Sequence, residues 1–175
     1  RQFRKARINP CKITRILITH WHGDHILGLA GLLQTLLLNG YNKTLYIYGP
    51  KGTKNDLHEL INLLVPYNKI PLKVEEISEG KFLDTKDFYL ESIPIQHSIP
   101  CNAYAFVEKD KIRLDRKKLK QFKIPNSPLL GELAAGKDIT LDGKKIKAKD
   151  VIYHEECKKV SFILDTALTD NCYKI

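Results

Sequence analysis

Short apolar runs and longer helical patterns alternate along the first half of the chain. The β-branched run at residues 15–19 and the run at 44–50 each predict a buried strand. Residues 26–40 are apolar nearly all round and predict a buried helix that stops at Asn39-Gly40. Residues 55–65 carry apolar side chains at helical spacing and predict a second helix before Pro66.

The second half is richer in strand patterns. We predict strands at residues 72–77, 87–95, 102–108 and 160–164, which run mostly without intervening helices. Together the two halves predict an α/β (α+β) fold in which sheet packs under helix. The 175 residues fit a single domain, residues 1–175.

The pattern breaks over residues 109–150, which we interpret as an insertion that projects from the domain. This segment holds 13 basic and 6 acidic residues, and residues 1–15 hold six basic residues and no acid, within a chain of net charge +9. Two such segments are typical of a surface that binds a polyanion. A solvated, lysine-rich face remains the alternative.

Composition narrows the class of protein. Hydrophobic residues make up 43% of the chain, which excludes a disordered protein. No apolar run approaches the roughly 20 residues of a membrane span, and the N-terminus lacks the apolar core of a secretory signal. The four cysteines are far apart, which indicates reduced thiols in a soluble, cytoplasmic protein. The chain begins with Arg1 and has no methionine, so we expect it to be incomplete at both ends.

The segment His-Trp-His-Gly-Asp-His, residues 20–25, directly follows the first predicted strand. Imidazole and carboxylate are the usual ligands of zinc and related divalent ions. His20 and His22 point the same way at a strand end and can hold one ion together. Asp24 and His25 can face a second ion. The motif therefore predicts a two-ion hydrolytic centre that activates water.

This motif resembles the metal-binding signature of the metallo-β-lactamase superfamily. The longer segments THWHGDHILGLAGLLQTL, LYIYGPKG, IQHSIPCNAYAF, FKIPNSPLLGELAAGKDITLDGKKI and FILDT are similar, in the same order, to the ribonuclease Z family. The resemblance implies an αββα sandwich, in fragmentary form, with a projecting exosite arm at residues 109–150.

The resemblance also implies a set of site residues. His20, His22 and His97 would hold one Zn²⁺, Asp24 and His25 would hold the other, and Asp165 would bridge them. Mn²⁺ or another divalent ion is the alternative metal. Asp24 would also act as the catalytic proton acceptor.

The family cuts precursor tRNA after the discriminator nucleotide and leaves a tRNA 3′-hydroxyl. We therefore expect precursor tRNA as the partner, neither DNA nor a membrane, and a homodimer in which the arm of one protomer clamps the tRNA cut by the other. A folded tRNA is gripped through phosphate and shape, so the expected RNA-binding residues of the arm are Lys117, Lys118, Lys123, Lys144 and Lys145.

The family's N-terminal strands and its last metal-ligand histidine have no counterpart in the chain. We therefore expect these 175 residues alone to be an incomplete enzyme. Two other functions stay open. One is a hydrolase of small esters or sulfates with the same fold, which would not need a basic arm. The other is a non-catalytic, metal-containing RNA-binding protein.

Overall fold

The computed structural model describes residues 2–141 and 143–175. Arg1, part of the basic N-terminal segment, and Asp142 lie outside the described residues. The first half contains α1 (Gln2–Lys5), a 3-10 turn (Pro10–Lys12), β1 (Arg15–Leu17), α2 (Gly23–Leu38), β2 (Leu45–Gly49), α3 (Thr53–Leu64) and β3 (Leu72–Glu76).

The remaining elements include five strands that the sequence pattern did not predict: β4, β7, β8, β9 and β10. In order they are β4 (Gly80–Asp84), β5 (Phe88–Pro94), β6 (Asn102–Glu108), β7 (Lys111–Leu114), α4 (Arg116–Gln121), α5 (Leu129–Ala134), β8 (Ile139–Leu141), β9 (Lys144–Ile146), α6 (Ala148–Val151), β10 (Ile152–Glu155), β11 (Lys159–Phe162) and α7 (Asn171–Lys174).

The chain divides into two compact units. The first, which we call the body, comprises the residues up to Asp84 together with Leu90–Phe106 and Val160–Ile175. The second, the arm unit, comprises Thr85–Tyr89 and Val107–Lys159. None of the helices within the described residues combines the length and the apolar character that crossing a bilayer requires.

A parallel sheet in the order β1-β2-β3 forms the first layer of the body. Ile16 pairs with Ile47, and Ile47 pairs with Val74. The connections through α2 and α3 are those that parallel strands require. Leu33 and Leu36 of α2 are fully buried in the core of this layer.

Helix α2 begins earlier than its apolar run. His22 has the extended backbone of an N-cap residue, and the helix starts at Gly23. The carboxylate of Asp24 in the first turn is favourable for a helix N-terminus. The helix ends before Asn39 and Gly40, as predicted, and Gly40 takes the positive φ of 69° that suits a C-terminal glycine. Asp24 and His25 are thereby fixed on the first helical turn.

A four-stranded sheet in the order β11-β6-β5-β4 contributes the second set of strands. Strand β4 escaped the sequence pattern because only Phe82 and Leu83 are apolar in it, and both are half-buried. Strand β11 lies at the edge of the sheet, and all four of its residues are exposed. Its apolar sequence correctly predicts a strand but not its exposure.

The arm unit has its own small core. Leu133 and Val151 are fully buried and pack with Ile139, Ile146 and Ala148. Strands β7 and β10 pair antiparallel, as do β8 and β9. The sequence pattern indicated little regular structure here, because the elements are only three to six residues long and their apolar residues are widely spaced.

Candidate metal centre

The segment after β1 stays hydrogen-bonded to its neighbours. The amide of Ile18 donates to the Tyr48 carbonyl at 2.8 Å, and the Thr19 carbonyl accepts from the amide of Asn102 at 2.9 Å. The His20 side chain is consequently enclosed, with none of its surface exposed. Its Nδ1 lies 3.1 Å from the Thr19 hydroxyl. The other ring nitrogen, Nε2, is buried and has no hydrogen-bond partner.

Three histidines form the first group of candidate ligands. One ligand atom each from His20, His22 and His97 lie within 4.8 Å of one another. Nε2 of His97 lies 3.0 Å from Nδ1 of His22. The structure therefore brings His97, which follows β5, beside the two histidines that follow β1.

A second group shares His20 with the first. It consists of His20, His25 and Asp165, again within 4.8 Å. Nε2 of His25 lies 3.4 Å from a carboxylate oxygen of Asp165 and 3.4 Å from one of Asp24. Asp24 belongs to neither group, and its side chain is 79% exposed. It lies at the solvent-facing edge of the cluster.

The four imidazoles lie close enough together that the charge of one affects the protonation of another. Ring centroids lie 4.2 Å apart for His20 and His25, 4.7 Å for His20 and His97, and 4.9 Å for His20 and His22. Burial lowers the pKa of His20 most, and the charges of His25, His97 and His22 lower it further, whereas Asp165 opposes the shift. His20 is therefore held neutral, the form in which an imidazole binds a metal.

These residues fit a divalent metal ion. A buried ring nitrogen without a partner is costly unless something binds it. Four imidazoles with two carboxylates at their edge provide the donor types that zinc and similar ions prefer. The site could hold metal with His20 as a member of both ligand groups.

Cavities flank the cluster. His97 lines one of about 520 Å³, and His22 lines another of about 550 Å³. Lys51, Ile99 and Pro100 line both. Because His22 and His97 touch each other, the two cavities adjoin at the cluster.

Two neighbours of the cluster were not among the predicted site residues. The Cys101 thiol lies 3.8 Å from the Asp165 carbonyl oxygen, and burial raises its pKa to about 11. The thiol is therefore neutral and unreactive at pH 7. Thr53, which is 32 residues from Trp21, accepts a hydrogen bond from the Trp21 indole at 2.9 Å. No spacing rule would have found this contact.

The predicted RNA-binding lysines all lie in the arm unit and are exposed. Lys117 and Lys118 are on α4, Lys123 follows α4 with a positive φ of 54°, and Lys144 and Lys145 are on β9. Lys145 forms an ion pair with Asp138 at 3.3 Å.

Comparison with known protein families identifies the fold. The family model described as "Beta-lactamase superfamily domain" matches residues 1–112. The chain belongs to this superfamily. The predicted mixed α/β fold of the metallo-β-lactamase type is thereby confirmed.

Individual proteins that are similar to this chain indicate which branch of the superfamily it resembles. Ribonuclease Z of Nanoarchaeum equitans is 41% identical over 166 residues, which cover 95% of this chain and 52% of the relative. Ribonuclease BN of Cronobacter sakazakii is 36% identical over 171 residues, covering 96% and 56%. The chain thus spans about half the length of the curated relatives it matches.

A solved structure agrees with the sequence relatives. The crystal structure of human tRNase Z, short form, superimposes with a TM-score of 0.54 at 27% identity, covering 62% of this chain and 49% of that one. The resemblance to ribonuclease Z that the motifs indicated is confirmed.

Proposed function

We propose that the protein is a zinc-dependent endoribonuclease that removes the 3′ trailer from precursor tRNA after the discriminator nucleotide and leaves a tRNA 3′-hydroxyl. The observation that carries this proposal is the pair of ligand groups that share the buried His20. The relatives named ribonuclease Z give the class of substrate. We also propose cytoplasmic action as a homodimer, which the resemblance implies.

We assign six residues to two Zn²⁺ ions. His20, His22 and His97 would hold one ion, Asp24 and His25 the other, and Asp165 would bridge them. The 3.4 Å distances from His25 to the carboxylates of Asp24 and Asp165 support the assignment of these residues to the second ion. The buried Nε2 of His20, which has no hydrogen-bond partner, supports the assignment of His20 to the first ion.

The chemistry of phosphodiester hydrolysis suits this arrangement. Bound divalent ions supply an activated hydroxide and neutralise charge on the phosphate oxygens. The exposed carboxylate of Asp24 would accept the proton of the attacking water. The two adjoining cavities beside the cluster would leave space for the RNA strand.

The arm at residues 109–150 would bind the tRNA through its phosphates. Lys117, Lys118 and Lys123 lie on or next to α4, and Lys144 and Lys145 lie on β9. All are exposed, as contacts to phosphate require. A hydrolase of small esters would not need this set of charges.

The test uses the natural gene product that contains these residues. It is incubated with a 3′-extended precursor tRNA, with and without a chelator, beside Asp24→Ala. Asp87→Ala, at an exposed carboxylate between β4 and β5, is the matched control. We expect a single chelator-sensitive cut after the discriminator nucleotide that only Asp24→Ala abolishes. Turnover of a small ester or sulfate without tRNA cleavage, or RNA binding without any turnover, would refute the proposal.

A further inference from the structure

Trp21 lies between the candidate metal ligands His20 and His22 in the sequence and is anchored to the first residue of α3. Its indole Nε1 donates a hydrogen bond to the Thr53 hydroxyl at 2.9 Å. That hydroxyl in turn donates its own proton to the Pro50 carbonyl at 2.7 Å. The Thr53 side chain is fully buried. The Pro50 carbonyl thus fixes the hydroxyl proton, which leaves an oxygen lone pair for the indole.

The Trp21 side chain has different partners from the two histidines beside it. Trp21 bonds to Thr53, whereas His20 and His22 belong to the ligand cluster. Trp21 packs against the core of the body, and α2 begins directly after His22. A change in the position of Trp21 would therefore move both histidines.

The turn from β2 to α3 is shaped to hold the Thr53 hydroxyl. Gly49, the last residue of β2, is buried, and a Cβ at this position would lie only 2.2 Å from Oγ1 of Thr53. Only glycine leaves room for the threonine here. Gly49, Pro50 and Thr53 together build an acceptor for the indole.

We propose that Thr53 is a positioning residue of the metal centre, which acts through Trp21 to fix His20 and His22 in the arrangement that binds an ion. This inference rests on the metal centre of the proposed function. Partners that orient ligands from outside the coordination sphere typically contribute 10–100-fold in metal affinity. Thr53 contacts no candidate ligand directly, so we expect a loss near the lower limit.

The experiment measures Zn²⁺ affinity by competition with a chromophoric chelator. Thr53→Val keeps the shape of the side chain but removes the hydroxyl, and we expect about ten-fold weaker binding. Thr53→Ser keeps the hydroxyl, and its affinity should return to that of the wild type. Thr35→Val removes another threonine hydroxyl, which donates to the Gly31 carbonyl on α2, and is the matched control.

A double-mutant cycle separates positioning from a general loss of stability. Trp21→Phe removes the indole N–H and keeps an aromatic ring, so we expect the same loss as in Thr53→Val. Because both changes break the same hydrogen bond, the double variant should bind Zn²⁺ no more weakly than either single variant. The visible absorption of bound Co²⁺ should be altered in Thr53→Val and Trp21→Phe and normal in Thr53→Ser.

The possible failures are distinct. If the wild type binds no Zn²⁺, the metal centre itself is refuted. If the wild type binds but Thr53→Val and Trp21→Phe bind equally well, only the positioning role is refuted. Additive losses in the double variant, or no rescue by Thr53→Ser, would also refute it. Should Thr53→Val fail to fold, Trp21→Phe and Thr53→Ser still decide the outcome.

Discussion

Nε2 of His97 lies 3.0 Å from Nδ1 of His22, although 75 residues separate the two in the sequence. Two ligand nitrogens at 2.0–2.1 Å from a tetrahedral zinc ion lie about 3.3 Å apart. The two histidines are therefore close to the separation they would have on one ion. Little movement of either side chain is needed to bind it.

His97→Ala should weaken Zn²⁺ binding by more than about 100-fold, because loss of a ligand exceeds the 10–100-fold cost of losing a supporting contact. The stoichiometry of bound zinc, measured by elemental analysis after dialysis, should fall as well. The control is His58→Ala. His58 lies on the exposed face of α3, where its Nε2 is 2.9 Å from the Asn62 amide. Zinc binding of wild-type affinity and stoichiometry in His97→Ala would exclude His97 as a ligand.

Local patterns predicted the elements around the metal motif well. The apolar run before His20 and the stop at Asn39-Gly40 depend on neighbours in sequence, and both predictions agree with the structure. The motif at residues 20–25 is equally local. Only the family resemblance implied that these residues group with His97 and Asp165. A contact between residues 75 positions apart leaves no periodic pattern in the sequence.

Long-range packing explains what was not predicted. The core of the arm unit joins Leu133 to Val151 across short elements, none of which has a clear period of its own. The bond from Trp21 to Thr53 is likewise tertiary. Strand β11 has the apolar sequence of a buried strand, yet its place at the sheet edge leaves it exposed. The hydrophobic pattern identifies a strand but does not show which strands will lie beside it.

The arm lysines give a prediction about salt dependence. Replacing Lys117, Lys118, Lys144 and Lys145 together by Ala should weaken binding of precursor tRNA and leave hydrolysis of a small phosphodiester nearly unchanged. The logarithm of the affinity falls linearly with the logarithm of the salt concentration, and each lost phosphate contact should make this slope shallower by about 0.7–0.9. Lys145 already pairs with Asp138, so Lys145→Ala alone should have less effect than Lys144→Ala.

The control for the arm variant removes lysines from the body. Lys43 and Lys69 are exposed, and their joint replacement by Ala should leave the affinity and the salt slope close to wild type. Filter binding over a series of salt concentrations measures both quantities. An equal loss of tRNA cleavage and small-substrate hydrolysis in the arm variant would contradict an RNA-binding role for these lysines.

Asp138 links the stability of the arm unit to pH. Its carboxylate accepts a hydrogen bond from the Ala148 amide at 3.0 Å and pairs with Lys145, and these contacts lower its pKa, the amide most. Because the folded pKa is below that of the unfolded chain, the folded state binds fewer protons. The stabilisation is therefore complete above the ordinary aspartate pKa of about 3.9. It is lost as the pH falls through the lowered folded value.

Asp138→Asn should accordingly speed hydrogen exchange of the Ala148 amide at pH 7, and lower the unfolding temperature. The difference in unfolding temperature from wild type should shrink as the pH is lowered below about 3.9. Asp150→Asn, at an exposed aspartate in the first turn of α6, is the control. A difference that stays constant down to pH 2.5 would mean that the charge of Asp138 is not what stabilises this region.

Gly49→Ala tests the close packing at the end of β2. The added methyl group would lie 2.2 Å from the Thr53 hydroxyl oxygen, so the backbone or Thr53 must shift. Overpacking of this kind typically costs 1–3 kcal/mol, and we expect about 2 kcal/mol in the free energy of unfolding measured with urea. Zn²⁺ affinity should fall as well, because the shift displaces the acceptor of the Trp21 indole.

Gly28→Ala is the matched control for this change. A Cβ at Gly28, in the middle of α2, would meet nothing within 4 Å. Alanine is the better helix former by about 1 kcal/mol, so this variant should be more stable than wild type with unchanged zinc affinity. If Gly49→Ala lowered stability while zinc affinity stayed the same, the turn would support the fold without positioning the metal ligands. A loss of affinity larger than that of Thr53→Val would instead mean that Gly49 acts on the site through more than the threonine hydroxyl.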